Sequence, residues 1–336
     1  LAVWWLWIFT SWVTNWLDPD TTPGRVLLFA LMLGGLLLSS SIPQAFGERG
    51  LMFGVVFAAM QVGRTTFVAV MMRGHHRVLH ENFVRIALWL AMSGALWISG
   101  GVAGGSARAA LWAAAVAIEY VGPALYFYVP GMGRSSTADW NVDGHHLAER
   151  CALFVIIALG ESVLVTGTTF ARHAWDTPAV TAFVVAFLGS VAMWWIYFDS
   201  GAERASHRIS HSSDPGRQAR LAYTYLHLLI IAGIIVCAVA GELTLAHPEH
   251  FEGDGRAAMA GMVGGPVLYL LGVALVKWVC NGRRGPPLAD CAGVMLLAAL
   301  IPAALAHLLS PLALGVATTL ILMIVATWET IALRRR

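Results

Sequence analysis

Charged residues are scarce in this 336-residue chain. Asp, Glu, Lys and Arg make up 12% of it, whereas apolar residues make up 58% and the mean hydropathy is +0.70. Soluble domains carry about twice that charge. No connection between the apolar runs is long enough to form a separate soluble domain. The composition therefore excludes an ordinary soluble enzyme and predicts a multi-pass helical membrane protein.

Motifs for familiar chemistry are also lacking. The four cysteines form no C-x-x-C pair, which argues against a disulfide framework or a zinc site. The glycines at Gly131 and Gly133 lack the GK[ST] ending of a P-loop, and no pair of catalytic carboxylates or nucleophile elbow occurs. Basic residues stand at the ends of apolar runs, which excludes a nucleic-acid partner. No cofactor and no metal site is predicted.

What the sequence does contain is a series of apolar runs of membrane-spanning length. We predict an all-α polytopic bundle of about eleven spans, each near the roughly 20 residues that a bilayer requires. Because Leu1 already stands inside an apolar run, a twelfth helix is expected ahead of it. The spans are predicted at 1–17, 26–46, 51–72, 82–99, 108–129, 147–169, 178–198, 220–241, 257–278, 288–308 and 311–331.

The basic residues predict the orientation of these spans. Sixteen of the 21 Lys and Arg fall at one set of loop ends, four fall at the other set, and Arg64 lies inside a span. Cytoplasmic loops carry the excess of positive charge, which predicts a cytosolic C-terminus and a bacterial inner-membrane location. Lys277 is interpreted as one of these loop-end charges.

A weak internal repeat is also visible. The segment AVWWLWI at 2–8 matches AMWWIYF at 192–198, six spans later, so the two copies point the same way. This predicts two parallel six-helix repeats, the first at 1–129 without its first helix and the second at 147–333. A cytosolic linker is predicted at 130–146.

Few ionisable residues lie within the predicted spans, and a charge at that depth is costly, so each needs a partner or a function. The candidate intramembrane polar site consists of Arg64, Gln61, Glu119, Glu161 and His227. Arg64 is expected to pair with Glu161 or Glu119 inside the bundle, as a structural salt bridge or as part of a site.

Two of these residues carry further expectations. Pro123 stands four residues after Glu119, so it should kink the span and free the Glu119 carbonyl beside the carboxylate. That combination would suit a proton or a cation. His227 is favoured as a hydrogen-bonded bundle histidine over a metal ligand. His145, His146 and Glu149 have helical metal-ligand spacing, but a solvated cluster at the end of a span is the favoured interpretation.

The segment HHLAERCALFVIIALGESVL, with WWLWIFTSWVTNWLDPD and the GRTTF around Arg64, resembles the bacterial low temperature requirement A (LtrA) family. The resemblance extends over most of the chain. It implies that Glu149, Arg150, Gly160, Glu161 and Arg64 belong to the family pattern. The family name records a growth phenotype, so the resemblance supplies no mechanism.

Two classes of function compete with the leading hypothesis of a transporter or channel-like protein for a small solute or ion. One is a membrane enzyme acting on a lipid or an isoprenoid, for which only the His145, His146 and Glu149 cluster is a candidate. The other is a structural or stress-response membrane protein for growth in the cold. The sequence favours a non-enzymatic function and a lipid-bilayer environment, and it leaves the oligomeric state open.

Overall fold

The computed structural model describes residues 1–136, 143–172, 175–199, 215–249, 251, 256–281 and 285–334. Regular structure in these ranges is helical throughout, and no β-strand occurs in them. The predicted helical class is therefore confirmed. The chain divides into two compact units, which we call the N-terminal unit (Ala2–Asn141) and the C-terminal unit (Val142–Arg336).

Five helices build the described part of the N-terminal unit. They are α1 (Ala2–Val13), α2 (Thr22–Ser41), α3 (Gly50–Met72), α4 (Arg77–Val102) and α5 (Gly105–Ala124). A short 3₁₀ turn, Ile42–Gln44, extends α2. Helices α3 and α4 approach each other closely, because Gly54 presents no side chain to the backbone of Trp97.

Six helices build the described part of the C-terminal unit. They are α6 (Gly144–Phe170), α7 (Thr177–Asp199), α8 (Pro215–Ala219, Arg220–Leu226 and His227–Ala246), α9 (Arg256–Asn281), α10 (Leu288–Ala299, continued by Ile301–Leu305) and α11 (Pro311–Arg334). The middle part of α8, Arg220–Leu226, is a π-helical turn. Helices α8 and α9 pack backbone to backbone at Gly233, which lies against Tyr269.

Nine helices of the described residues are long and apolar enough to cross a membrane. The protein is thus a multi-pass helical membrane protein. Helix α1 has only 12 residues, and α5, which carries both Arg108 and Glu119, is also not among these nine.

Side-chain caps fix the starts of four helices, where backbone N–H groups have no partner inside the helix. Thr21 accepts a bond from the Gly24 N–H at the start of α2. Asp143 accepts bonds from the N–H groups of His145 and His146 at the start of α6. Asp176 accepts a bond from the Ala179 N–H at the start of α7. Ser310 accepts a bond from the Ala313 N–H at the start of α11. Short polar residues at these positions favour helix initiation there.

The end of α5 differs from the sequence-based expectation. We predicted a kinked span that continues to residue 129, but the helix ends at Ala124, so Pro123 lies in its last turn. Tyr126 and Phe127 follow with φ angles of 54° and 49°, a left-handed backbone that cannot continue an α-helix. The proline therefore accompanies the end of the helix and does not produce a bend within it.

Arg108 ties together several helix ends in the N-terminal unit. Its guanidinium donates to the carbonyls of Ala45, Gly47, Gly100 and Ala103, at distances from 2.6 to 3.1 Å. These carbonyls lie at or just beyond the ends of α2 and α4, where helices leave acceptors unsatisfied. Arg108 is one of the four basic residues predicted at the less basic set of loop ends, but its side chain is buried among these acceptors.

Candidate functional site

Arg64 lies in the interior of the N-terminal unit, on α3, with only 1% of its surface exposed. One guanidinium nitrogen donates to the carbonyl of Leu6 at 3.3 Å and to the hydroxyl of Thr10 at 3.1 Å, both on α1. The other terminal nitrogen donates to the side-chain oxygen of Gln61. The Nε group has no hydrogen-bond partner among the described residues. The cation is therefore solvated by neutral groups inside the protein.

Glu119 lies on α5 in the same interior, and it is 5% exposed. One carboxylate oxygen accepts bonds from the Ser93 hydroxyl at 3.0 Å and from the Trp97 indole N–H at 2.8 Å. The other oxygen accepts a longer bond, 3.4 Å, from the Gln61 amide. Helices α3, α4 and α5 thus each supply a polar group to one cluster.

Gln61 connects the two charged residues. Its oxygen accepts a hydrogen bond from the Arg64 guanidinium, and its nitrogen donates one to the Glu119 carboxylate. This is the amide orientation that a cation and an anion require. Within the described residues, Arg64 and Glu119 form no direct ion pair, although we expected one as an alternative to pairing with Glu161. We call Arg64, Gln61, Glu119, Ser93 and Trp97 the bridged cluster. Because an amide stands between them, the cation and the carboxylate are not fixed to each other as they would be in a bidentate guanidinium–carboxylate ion pair.

His227 lies in the C-terminal unit, directly after the π-helical turn of α8. Its ring nitrogens lie 2.8 Å from the Ala222 carbonyl oxygen and 3.0 Å from the Tyr197 hydroxyl. Because a carbonyl can only accept, Nδ1 carries the proton and Nε2 accepts from Tyr197. The structure thus places His227 as a hydrogen-bonded histidine inside the helical bundle.

Glu161 has a different setting. Its side chain on α6 is exposed, as are its neighbour Gly160 and Glu149 twelve residues earlier, and Arg150 is half-buried. This exposure distinguishes Glu161 from the enclosed Glu119, which accepts three hydrogen bonds. Glu161 and Arg64 belong to different units, so their expected pairing stays a prediction.

A second charged cluster, which sequence reasoning missed, lies in the C-terminal unit. The Lys277 ammonium on α9 lies 2.7 and 2.6 Å from the two carboxylate oxygens of Glu329 on α11. It lies 3.3 Å from a carboxylate oxygen of Asp290 on α10. All three side chains are buried. We call these residues the direct cluster.

Sequence position explains why the direct cluster was overlooked. We had interpreted Lys277 as a loop-end charge that marks the cytoplasmic side, but α9 continues to Asn281 and buries it. Asp290 likewise stands two residues after the start of α10, and Glu329 five residues before the end of α11. A signal was present, because two carboxylates and one cation each interrupt an apolar run.

The remaining candidates do not form a site of known chemistry. The Nε2 of His145 lies 3.4 Å from a carboxylate oxygen of Glu149, and both side chains are exposed. Among the described residues, no group of three or more His, Cys, Asp or Glu side chains is placed to hold a metal ion. All four cysteines are free thiols. Part of the predicted linker at 130–146, residues 137–142, lies outside the described residues.

Comparisons with known proteins agree with the sequence resemblance. The family model for the bacterial low temperature requirement A protein (LtrA) matches residues 1–327. An uncharacterized protein of Rhizobium meliloti (strain 1021) is 41% identical over 335 residues, which cover 99% of this chain and 80% of that protein. No solved structure matches this chain. With the Arg64 and Glu161 segments both inside the matched range, the chain belongs to the LtrA family.

Proposed function

We propose that this LtrA-family protein is a transporter or channel-like protein for a small solute or ion, and that Glu119 binds a proton or a cation during its cycle. The observation that carries the proposal is the bridged cluster. Glu119 is a buried carboxylate inside a helical membrane protein, and its hydrogen-bond donors Ser93, Trp97 and Gln61 are neutral. A carboxylate in such a place is expensive to keep unless it has a function.

The surroundings of Glu119 allow its carboxylate to change its charge state. Neutral donors stabilise a carboxylate without neutralising it, so a proton or a cation can still add to it. Arg64, one amide away, supplies a positive charge that limits the cost of the ionised form. Because Arg64 and Glu119 are separated, the Glu119 carboxylate can bind and release a proton or a cation. A direct ion pair would keep the carboxylate bound to the guanidinium.

We also propose that the chain crosses the membrane eleven times with parallel repeats of six helices and a cytosolic C-terminus, in the bacterial inner membrane. The order of the polar groups supports this repeat. In the N-terminal unit, the third, fourth and fifth helices carry Arg64, Ser93 and Glu119. Among the last five helices of the chain, the third, fourth and fifth carry Lys277, Asp290 and Glu329.

Reporter fusions test the topology. Fusions after Arg77, after Asp214 and at the C-terminus should report a cytosolic location, and fusions near Gly104 and Glu252 should report an external one. A cytosolic result at Glu252 would contradict the arrangement, because α8 could then not be a span.

Flux into liposomes tests the function. The full chain would be reconstituted and screened for uptake of protons, alkali cations, ammonium and small neutral solutes, against empty liposomes. At least one of these should be carried. Glu119→Gln should lower its flux at least about tenfold, because an amide cannot take up a proton or neutralise a cation.

The matched control for this test is Glu48→Gln, which changes an exposed carboxylate between α2 and α3. It should carry the solute at the wild-type rate. Glu119→Gln should unfold near the wild-type temperature, since the amide oxygen can still accept from Ser93 and Trp97. Absence of flux for the whole panel, or unchanged flux in Glu119→Gln, would contradict the proposal.

A further inference from the structure

A cavity of about 70 Å³ lies within the C-terminal unit, among α6, α7, α8, α9 and α11. A water molecule needs roughly 10–15 Å³ of such space, so the cavity has room for about five waters. Six hydroxyl side chains from four helices line it: Ser162, Thr166, Ser190, Thr244, Thr318 and Thr319.

Five of these six hydroxyls, all except that of Ser162, donate their hydrogen to a backbone carbonyl. Thr166 donates to the Ser162 carbonyl at 2.7 Å and Thr244 to the Ala240 carbonyl at 2.8 Å, each within its own helix. Ser190 and Thr318 likewise donate to carbonyls one turn earlier, and Thr319 donates across to Val185 on α7. A hydroxyl that has given its only hydrogen to a carbonyl can only accept further bonds.

Proline adds another acceptor. Pro266 interrupts α9 and has no N–H, so the carbonyl of Met262 receives no bond from it. Both residues line the cavity. In membrane proteins, backbone carbonyls freed by such breaks face cavities and coordinate ions.

The described lining of the cavity carries no formal charge. It contains no Asp or Glu, since Glu161 and Glu242 are exposed on other faces of α6 and α8 than their lining neighbours Ser162 and Gly241. No Lys, Arg or His side chain lines the cavity. An anion would need several donors, whereas five of the six hydroxyls already donate to carbonyls. A divalent cation would require carboxylates as direct ligands.

We propose that this cavity binds a partly hydrated monovalent cation, an alkali ion or ammonium, through hydroxyl and carbonyl oxygens. Oxygen dipoles without formal charge replace the water shell of such ions and leave them free to dissociate. The inference names the ion class of the proposed transport function and rests on it. It places the ion in the unit that does not contain Glu119.

The position of the cavity gives a route of entry. It lies toward the end of the unit at which α6 and α8 finish and α7, α9 and α11 begin. In the proposed topology this is the external side, and the deeper lining residues, such as Ser190 and Cys237, lie closer to the middle of their helices. An ion could therefore enter from outside and stop part of the way across.

Binding can be measured without flux. The full chain in nanodiscs would be titrated with potassium, sodium or ammonium chloride at constant ionic strength maintained with choline chloride, and its unfolding temperature followed. Saturable stabilisation by at least one small cation over choline is expected, because a ligand that binds only the folded state stabilises it. An equal unfolding temperature in all four salts would overturn the proposal.

Paired variants locate the site. Thr166→Val with Thr244→Val keeps side-chain volume and removes two acceptors, and it should raise the apparent Kd at least about tenfold. Thr168→Val with Thr327→Val removes two exposed hydroxyls, which donate to Val165 and Met323, and should leave the Kd unchanged. Equal cation dependence in the two double variants would place binding elsewhere and overturn the assignment.

The outcomes also separate this inference from the proposed function. If cation binding is lost only in the variant with Thr166→Val and Thr244→Val, and no flux occurs in liposomes, the binding site is supported and the transport function is contradicted. Flux that depends on Glu119 but not on the cavity hydroxyls supports transport and contradicts the site. Stabilisation by a neutral solute such as glycerol, with none by the cations, overturns the ligand class.

Discussion

The two units solve the same problem, a buried charge in a membrane protein, in different ways. In the direct cluster, the Lys277 ammonium lies within 2.7 Å of both oxygens of Glu329, with Asp290 close by. In the bridged cluster, Gln61 stands between Arg64 and Glu119. A direct pair is suited to holding helices together, because breaking it leaves a bare charge. A bridged pair leaves its carboxylate without a direct counter-ion, which is the feature on which the proposed proton or cation binding rests.

The packing of the two units differs as well. The close approach at glycine in the N-terminal unit joins α3 and α4, whereas in the C-terminal unit it joins α8 and α9. In the proposed six-helix register, α3 and α4 correspond to α9 and α10. The two units thus carry their polar residues in a similar helix order, but different pairs of helices pack most closely in them. The order of the polar residues and the identity of the closest helix pair therefore vary independently.

The largest expected effect is in the direct cluster. Lys277→Met should destabilise the protein by about 3–5 kcal/mol, because it leaves two buried carboxylates without their cation. Thermal unfolding in one detergent, together with the yield of folded protein, measures it. Lys277→Arg is the matched control, since it keeps the charge. A Met variant as stable as the wild type would show that the direct cluster does not hold the helices together.

Arg64→Met should have a smaller effect, about 1–3 kcal/mol, because its bonded partners are neutral and remain satisfied more easily than a carboxylate. Combining it with Glu119→Gln should give a coupling energy under about 1 kcal/mol in a double-mutant cycle. A coupling as large as that between Lys277 and Glu329 would remove the distinction between the two clusters.

Trp97→Phe should cost about 1–2 kcal/mol, since it removes one charge-assisted bond to Glu119 and keeps the aromatic packing. The control is Trp89→Phe, which removes an indole bond to the Tyr128 carbonyl at an exposed position. Thermal unfolding of the two variants side by side measures the difference. Equal losses would mean that the Glu119 bond contributes no more than an ordinary one.

The smallest effect is expected for Pro123→Ala, within about 1 kcal/mol of the wild type. The new N–H can bond the Glu119 carbonyl, but the left-handed residues Tyr126 and Phe127 still end the helix nearby. Unfolding temperature and flux should both stay near the wild-type values. A strong loss of flux with unchanged stability would assign the Glu119 carbonyl to the site after all.

Much of the fold could be predicted from apolar run length alone, because a bilayer sets the length of a spanning helix. Each of the eleven predicted spans overlaps a helix, although nine of the helices are long and apolar enough to cross. The ends were less predictable. Helix α5 ends at Ala124 since two left-handed residues follow, a local backbone choice that hydropathy does not record.

The candidate sites were harder to predict from the sequence than the fold. Arg64, Gln61 and Glu119 were selected as ionisable or polar groups at depth, but the bridging role of Gln61 depends on which helices are neighbours. Lys277 was missed because a basic residue near a helix end is also the usual topology signal. The cavity hydroxyls gave no signal, since Ser and Thr in spans commonly bond their own helix.

The π-helical turn at Arg220–Leu226 has a consequence for comparing family members. A π turn accommodates one residue more than an α turn, and one residue rotates the faces of an α-helix by about 100°. Residues before the turn therefore lie out of phase with those after His227. We expect relatives to differ in length by a single residue in this segment, with the later face of α8 unchanged. An alignment without a gap there would pair lipid-facing positions with interior ones.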